Sequence, residues 1–308
     1  MTSGQPTQPT LPAAAADADP LWALLAPERL SAVADIGANP VGGDPPYKPM
    51  LQRRLCRVFG FEPQDEALAA LNARKSDLET YLPYVVGNGE QGRLRVCASS
   101  GMTSLLEPDP HMLSHFALFS EWGRVVAETR VATRRLDDVN EIDALDFLKI
   151  DVQGSELAVF RSGRRRLAEA VMIQTEVSFL PLYKQQPVFS EIDLELRGQG
   201  FIPHALTAID RRMILPMAGP HVYSAIHQLL EADAVYVRDF TRPDAISTEQ
   251  LKHLALMAHH CYGSYDLAGI CIHHLLNRQA IVPEAPGRYL DLAAAHRAAA
   301  VAARDAAS

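Results

Sequence analysis

Two carboxylates, Asp151 and Glu176, stand near the ends of successive apolar runs in the middle of the chain. The runs over 147–152 and 171–177 have the length and composition of buried strands. The carboxyl ends of neighbouring parallel strands meet at one edge of a sheet, so we expect both side chains to face the same crevice. One carboxylate there could take the proton of a substrate hydroxyl, while the other holds a hydroxyl, an amine or a Mg²⁺ ion.

Lys149 and Asp151 are charged residues embedded in the first of these apolar runs. A buried charge is costly unless it is paired. Asp151 is therefore either paired with Lys149 or an arginine, or directed into a ligand pocket, and the pattern favours the pocket. We take Asp151 as the first candidate for the general base or for the group that orients an acceptor hydroxyl, with Glu176 and His204 as second candidates.

A second group of polar residues follows two earlier strands. The first predicted strand, over 31–36, contains Asp35 and runs into a turn with Gly37 and Asn39, and the second predicted strand ends at Glu62. A flexible glycine and strand-end carboxylates are typical of the ligand edge of an open α/β sheet. We predict a cofactor site here, in which Glu62 accepts hydrogen bonds from both hydroxyls of a ribose.

The first loop also restricts the identity of the cofactor. A dinucleotide requires the third glycine of Gly-x-Gly-x-x-Gly and a helix N-terminus against its pyrophosphate, but here Asn39 is followed by Pro40 and no helix begins promptly. The chain has no Gly-Lys-Ser/Thr sequence of a Walker loop. S-adenosylmethionine fits better because it carries an adenosine and no phosphates. Its amino-acid end is expected at the first loop, and its adenine beside Gly87 and Asn88.

Strands and helices alternate along the central part of the chain. Short apolar runs predict the strands, and amphipathic segments that end at glycine predict the helices between them. This order predicts an α/β fold with a sheet of about seven strands, the last of which, over 234–237, is antiparallel. Residues 1–18 are rich in Thr, Gln, Pro and Ala and are predicted to be a disordered tail, so we expect the folded domain over 19–242.

The composition changes to helix-forming residues near the C-terminus. Residues 243–308 are predicted to form a helical hairpin and a tail helix. We expect this extension to mediate homodimerisation or to cover the crevice. It contains two histidine pairs and two cysteines whose spacing matches no standard zinc pattern, so we assign no metal to them and favour packing roles. These residues are His259, His260, Cys261, Cys271, His273 and His274.

Composition and charge exclude several classes of protein. A net charge of −8 over 308 residues argues against a nucleic-acid-binding protein. The 48% of hydrophobic residues suits a globular chain, but no apolar run approaches the roughly 20 residues of a membrane span. The N-terminus lacks the basic start and apolar core of a signal peptide. With four scattered cysteines, we expect a cytoplasmic protein with free thiols and a small-molecule acceptor as its partner.

Four motifs follow one another in the central region. The most specific is Leu-Lys-Ile-Asp-Val-Gln-Gly-Ser-Glu at 148–156, with Glu176 on the next strand. The others are Asp-Ile-Gly-Ala-Asn at 35–39, Gly-Phe-Glu-Pro at 60–63 and Asp-Ala-Val-Tyr-Val at 233–237. Together they resemble the FkbM family of class I S-adenosylmethionine-dependent methyltransferases.

This resemblance implies a Rossmann-like, seven-stranded, mostly parallel sheet with helices on both faces. It also implies methyl transfer, usually to oxygen, on natural products or sugars. The positions that we assign to the cofactor are Asp35, Gly37, Ala38, Asn39, Glu62, Pro63, Gly87, Asn88 and Asp151.

We expect a direct displacement, in which an acceptor oxygen attacks the sulfonium methyl group in line. Holding the nucleophile and the methyl group about 3 Å apart supplies much of the rate enhancement. A Mg²⁺ ion held by Asp151 and Glu176 is an alternative means of binding the acceptor. Two other interpretations remain: a nicotinamide-dependent oxidoreductase, although its glycine pattern is missing, and a catalytically silent module that binds a nucleoside or assembles with a partner through residues 245–305.

Overall fold

The computed structural model describes residues 19–38 and 43–306, so the predicted tail over 1–18 and the predicted cofactor residue Asn39 lie outside the described residues. The described chain forms two compact units. One contains residues 32–45 and 58–246, and the other contains 19–31, 46–57 and 247–306. The predicted division at residue 242 into a catalytic domain and an extension stays a prediction.

Ten strands form two sheets in the described part of the chain. They are β1 (Ser31–Ile36), β2 (Cys56–Phe61), β3 (Glu79–Leu82), β4 (Val85–Val86), β5 (Gln91–Cys97), β6 (Val125–Arg134), β7 (Phe147–Ile150), β8 (Met172–Ser178), β9 (Phe201–Arg211) and β10 (Leu229–Arg238).

Eleven α-helices are described. They are α1 (Pro20–Leu25), α2 (Lys48–Gln52), α3 (Asp65–Arg74), α4 (Pro110–Leu113), α5 (Phe119–Trp122), α6 (Glu156–Ser162), α7 (Arg164–Leu167), α8 (Phe189–Gly198), α9 (Thr248–Tyr262), α10 (Tyr265–Asn277) and α11 (Ala285–Ala306).

The main sheet has seven strands in the order β3-β2-β1-β7-β8-β10-β9. β7 is parallel to β1 and to β8, and β2 is parallel to β3, whereas β10 is antiparallel to both β8 and β9. The predicted α/β fold with a seven-stranded, mostly parallel sheet is therefore confirmed, as is the antiparallel last strand. The carboxyl ends of β1, β2, β7 and β8 meet at one edge, which is where ligands bind in open α/β sheets.

A smaller sheet contains three strands. β5 and β6 pair with each other and, through β6, with β4 in the order β4-β6-β5, separate from the main sheet. β3 and β4 follow each other closely in the chain but belong to different sheets, β3 to the main sheet and β4 to the small sheet. Pro83 stands between them, because a proline has no N–H to donate to a sheet.

The core of the sheet unit lies around its central strands. Every residue of β1 is buried, and so are nearly all residues of β7 and β8. Helices α6 and α8 contribute Leu157, Phe160 and Leu196 to the same apolar cluster. Both faces of β7 are buried, which explains why its residues other than Lys149 are apolar and do not alternate with polar residues.

The second unit is helical. α9 begins with a capping box, in which the Ser247 hydroxyl accepts from the N–H of Gln250 at 3.1 Å and the Gln250 side chain accepts from the N–H of Ser247 at 2.9 Å. It ends at Gly263, whose φ of +61° suits glycine. α10 follows directly, so the predicted helical hairpin is confirmed. No helix in the described part of the chain is both long and apolar enough to cross a membrane.

Histidines of the helical unit pack against aromatic and histidine side chains. His259 Nε2 lies 2.9 Å from His296 Nδ1, and His259 Nδ1 lies 3.3 Å from the Tyr289 hydroxyl. Burial lowers the pKa of His259 to about 3, so the ring is neutral at physiological pH. Cys261 and Cys271 are free thiols.

Candidate functional site

The turn after β1 touches the end of β7. Gly37 has φ +83°, and a Cβ at this position would lie 2.1 Å from the backbone oxygen of Asp151. Only glycine satisfies both the left-handed backbone and the close approach. This contact places the predicted cofactor loop directly beside the predicted catalytic carboxylate.

A cavity of about 170 Å³ opens at the carboxyl ends of β1, β2 and β7. Its lining includes Gly37, Glu62, Pro63 and Asp151, four of the residues that the sequence assigned to the cofactor. Residues of the polar loop after β5 close another side of it. The lining residues of that loop are Ser100, Gly101, Thr103, Ser104 and Leu105.

Glu62 supplies a buried carboxylate to this cavity. Its side chain is 2% exposed, and Oε1 accepts a hydrogen bond from the N–H of Gln64 at 2.8 Å. Burial raises the pKa of Glu62 and outweighs the opposing effect of that hydrogen bond. A carboxylate held in this way can accept hydrogen bonds from hydroxyl groups, and a ribose has two hydroxyl groups to donate. The cavity lining therefore fits an adenosine without phosphates.

The other predicted cofactor residues lie around the cavity rather than in its lining. Ala38 is buried, and its N–H donates to the oxygen of Phe61 at 3.2 Å. Gly87 N–H donates to the oxygen of Arg134 at 2.8 Å, and Asn88 bonds Glu90 through its side chain at 2.9 Å. The segment that does line the cavity there is Tyr84, Val85 and Val86, just before Gly87. Contacts of Gly87 and Asn88 with adenine stay a prediction.

Asp35 and Lys149 form a buried ion pair. They face each other in the parallel ladder between β1 and β7, and Lys149 Nζ lies 3.0 Å from Asp35 Oδ1. Burial alone would lower the pKa of Lys149, but the carboxylates of Asp35, Asp151 and Asp233 together outweigh burial and raise that pKa. Of the two alternatives for Asp151, the structure thus shows the one in which it lines a pocket, because Lys149 bonds the neighbouring strand instead. Asp35 lies beneath the first loop and is outside the cavity lining.

Three carboxylates converge beyond the end of β7. Oxygens of Asp151, Glu156 and Glu176 all lie within 4.8 Å of one another. The Gln153 side chain sits between two of them, since its Nε2 donates to Asp151 Oδ1 at 2.9 Å and to Glu176 Oε2 at 3.0 Å. The prediction that Asp151 and Glu176 face the same crevice is met by this geometry. We call these three acids the carboxylate cluster.

Burial makes two acids of the carboxylate cluster, Glu156 and Glu176, hold protons more tightly than ordinary acids. It raises the pKa of Glu156 to about 7, although the side chain accepts from the N–H groups of Val152 and Gly154. Burial, and then the nearby Asp151, raises the pKa of Glu176 well above its usual value. These two acids can therefore exchange a proton closer to neutral pH than an ordinary carboxylate, as a general base must.

Two further acids extend this acidic surface along β10. Asp233 lies opposite Glu176, and Glu231 lies opposite Ser178, in the antiparallel ladder between β8 and β10. Burial raises the pKa of Glu231 to about 7 and also raises that of Asp233. Sequence reasoning identified β10 as a strand but not these side chains as part of the site. The alternation of acids at 231 and 233 was the available signal.

Gln153 and Glu156 also belong to the candidate site, and sequence reasoning did not identify them. Both lie in the most specific motif, at 148–156. Gln153 has φ +54°, a conformation that non-glycine residues rarely adopt. Its Oε1 accepts from the Tyr183 hydroxyl at 3.2 Å, and its backbone oxygen accepts from Ser104 Oγ at 2.6 Å. All its side-chain polar groups are therefore engaged.

His204 lies away from this group. It is on β9, the edge strand, which is separated from β7 by β8 and β10. It lines neither of the two described cavities. Its predicted role in proton transfer stays a prediction, with no support from its position.

Comparison with known proteins agrees with this geometry. Residues 35–203 match the methyltransferase FkbM domain, which is more than half of the chain. Over 176 residues the chain is 28% identical to 2-O-methyltransferase NoeI of Sinorhizobium fredii, covering 53% of this chain and 70% of that protein.

The similarity of the chain to solved structures is weak. Precorrin-6y C5,15-methyltransferase from Geobacter metallireducens has a TM-score of 0.35 at 11% identity, covering 71% of this chain and 85% of that one. Magnesium protoporphyrin IX methyltransferase from Synechocystis PCC 6803, solved with bound S-adenosylmethionine, has a TM-score of 0.33 at 11% identity, covering 71% and 76%.

The match over 35–203 includes the turn at Gly37, the carboxylate at Glu62 and the whole motif around Asp151. These are the residues that build the cavity at the carboxyl edge of the sheet. The predicted family and its cofactor, S-adenosylmethionine, are thereby confirmed. This chain belongs to the FkbM family of methyltransferases.

Proposed function

We propose that this chain transfers a methyl group from S-adenosylmethionine to a hydroxyl oxygen of a small natural product or sugar. The observation that carries the proposal is the position of Asp151, which lines the cofactor cavity and also belongs to the carboxylate cluster. A group placed there can touch both reactants. The name of the relative NoeI, a 2-O-methyltransferase, supports oxygen as the acceptor atom.

Each side of the site has a separate task in this proposal. Bound S-adenosylmethionine supplies an electrophilic methyl group on a positively charged sulfur. Glu62 binds the ribose hydroxyls, and the backbone around Gly37 receives the amino-acid end. Lys149 holds Asp35 beneath that turn and so fixes its position. The acids beyond β7 give the site the negative potential that suits a cationic ligand.

Asp151 acts on the acceptor hydroxyl. It orients the hydroxyl by accepting its hydrogen bond, and it or Glu176 takes the proton as the oxygen forms its bond to the methyl carbon. The bond between that carbon and sulfur breaks, and its electron pair stays on sulfur. Gln153 keeps Asp151 and Glu176 in place during this step, since it bonds both. Most of the rate then comes from positioning.

Calorimetry and a transfer assay test the proposal together. We expect S-adenosylmethionine and S-adenosylhomocysteine to bind the purified chain and NADH not to bind. Labelled methyl groups should then appear on members of a panel of hydroxylated sugars and natural products, and the same assay with a chelator shows whether Mg²⁺ takes part. Binding without transfer to any acceptor would support the silent module instead, and no heat with S-adenosylhomocysteine would contradict the cofactor site.

The remaining expectations concern location and partners. We propose a cytoplasmic enzyme with a small-molecule acceptor and no nucleic-acid partner, and a homodimer formed through the helices after residue 243. Exposed apolar side chains in that region support the dimer, since Leu290 is 67% exposed. Light scattering of the purified chain at several concentrations measures its mass and decides between a monomer and a dimer.

A further inference from the structure

A second cavity lies at the same edge of the sheet, around the ends of β8 and β9 and the start of β10. It measures about 600 Å³ and is separate from the cofactor cavity, with which it shares no lining residue. Most of its lining is apolar. The six apolar residues are Phe179, Met213, Ile214, Met217, Ile226 and Leu229.

Three of these apolar side chains face water to an unusual degree. Ile214 is 49% exposed, Met217 is 59% exposed and Ile226 is 52% exposed. Single exposed apolar residues are common, but several around one concave surface mark a binding site. A cavity of this size and lining is typical of small-molecule sites.

Arg212 is the charged side chain of the lining; it is paired with the Asp210 carboxylate, although its Nε has no hydrogen-bond partner among the described residues. Its Nη1 bonds Asp210 Oδ1 and the backbone oxygen of Arg211. The guanidinium also lies 5.0 Å from the centre of the Tyr223 ring. An occupant is therefore not selected by a negative charge, and an uncharged molecule fits the lining better than an anion does.

The face of β10 connects this cavity to the carboxylate cluster. Leu229 lines the cavity, and Glu231 and Asp233 follow at alternate positions of the same strand, where Asp233 lies opposite Glu176. Four residues of strand correspond to about 13 Å. A molecule whose apolar part fills the cavity can thus present a hydroxyl near Glu176 if the two parts are about that far apart.

We propose that this cavity binds the apolar body of the methyl acceptor, and that the acceptor is an uncharged amphiphile with a hydroxylated head and an aliphatic chain. The inference rests on the proposed function, because it assigns the acceptor side of the same reaction. It narrows the acceptor class from any hydroxylated small molecule to those with an extended apolar part. Simple free sugars would leave the cavity unfilled.

Nile red, an uncharged apolar dye, tests the cavity without requiring turnover. We expect the full chain to bind it, and Met217→Ser and Ile226→Ser to weaken binding by about tenfold, since each removes apolar contact area. Leu194→Ser is the matched control, because Leu194 is 71% exposed on α8 and outside the cavity lining. Equal dye affinity in all four proteins would overturn the proposal.

A pair of glucosides tests the proposed class of acceptor. Octyl β-glucoside, below its micelle concentration, should displace Nile red, whereas methyl β-glucoside, with the same hydroxyl groups and no chain, should not. Displacement by both or by neither contradicts an apolar acceptor site. Saturating S-adenosylhomocysteine should leave dye affinity unchanged, and displacement by it would place the dye in the cofactor cavity.

Calorimetry with S-adenosylhomocysteine on the same variants separates this inference from the proposed function. If the cofactor binds normally and Met217→Ser does not change dye affinity, only the proposed acceptor cavity is contradicted. Loss of cofactor binding in the wild-type chain removes the proposed methyl transfer, whatever the dye does.

Discussion

The two cavities at the carboxyl edge of the sheet differ in how they are built. The cofactor cavity is formed by tight turns, with Gly37 against the backbone of Asp151 and Glu62 almost fully buried. The second cavity is formed by the ends of long strands and by side chains that are half exposed, such as Met217 and Ile226. Asp151 lies where the first cavity meets the carboxylate cluster. The contrast fits our proposal of a closely packed cavity for the cofactor and a more open cavity for the acceptor.

The contrast between the two cavities would be wrong if Asp151 acted on the cofactor rather than on the acceptor. We expect Asp151→Asn to lower kcat by about 10²–10⁴-fold, the range for loss of a general base. The affinity for S-adenosylhomocysteine should change little, since that ligand lacks the sulfonium charge. Steady-state kinetics and calorimetry measure the two effects. Glu66→Gln, an exposed acid on α3, is the control and should alter neither.

The rigidity of the cofactor side depends on the buried pair of Asp35 and Lys149. Lys149→Gln leaves the Asp35 carboxylate buried opposite a neutral side chain and should cost about 3–5 kcal/mol of unfolding free energy. Asp35→Asn combined with Lys149→Gln should cost less than Lys149→Gln alone, because no uncompensated charge remains. Urea unfolding of the wild type, Asp35→Asn, Lys149→Gln and the double variant measures the difference. A double variant as unstable as the sum of the two single variants would show that the pair is not coupled.

Gly37 offers a test of close packing in the cofactor cavity. Gly37→Ala should weaken S-adenosylhomocysteine binding by about 10–100-fold, or about 1.4–2.7 kcal/mol, because the new methyl group meets the Asp151 backbone. Gly43→Ala is the matched control, since Gly43 also has a positive φ, of +106°, but nothing lies within 4 Å of an added Cβ. Equal affinities in the two variants would mean that backbone strain alone, and not contact with Asp151, limits this position.

The pH dependence of stability reports on the carboxylate cluster. The pKa of Glu156 is about 7 in the folded chain against an ordinary 4.5, so the unfolded chain releases this proton first as the pH rises. The unfolding free energy should therefore fall between about pH 4.5 and 7, by roughly 3 kcal/mol from this group. Glu156→Gln should flatten that part of the profile, and Glu66→Gln should leave it unchanged. Urea unfolding at several pH values measures both; a slope that persists in Glu156→Gln would assign the bound protons to other acids.

The sequence predicted the cofactor side better than the acceptor side. Gly37 and Glu62 lie within a few residues of the strand ends that position them, so local patterns were sufficient to place them at the cavity. The partner of Lys149 was not predictable, because it depends on the register between β1 and β7, and Asp35 and Lys149 are 114 residues apart in the chain. The same holds for Glu231, which reaches the site only through the ladder between β10 and β8.

The small sheet and the second cavity also depend on contacts between distant segments. The residues at 125–134 alternate like any strand, and nothing local tells which sheet they join. The lining of the second cavity comes from three separated segments, around Phe179, 212–217 and 226–229. From the sequence alone, an apolar residue in such a segment would be assigned to the core, and only the fold shows that it is exposed.

The loop after β7 has one more consequence for how the enzyme works. Gln153 is fixed from four directions, through Asp151, Glu176, Tyr183 and Ser104. These bonds are all made within the chain, and they hold Gln153 in its left-handed backbone conformation. Binding then loses little free energy to ordering this segment. Because this loop is already ordered, successive molecules of the methyl donor can enter and leave without refolding the residues that lie between the methyl donor and the acceptor.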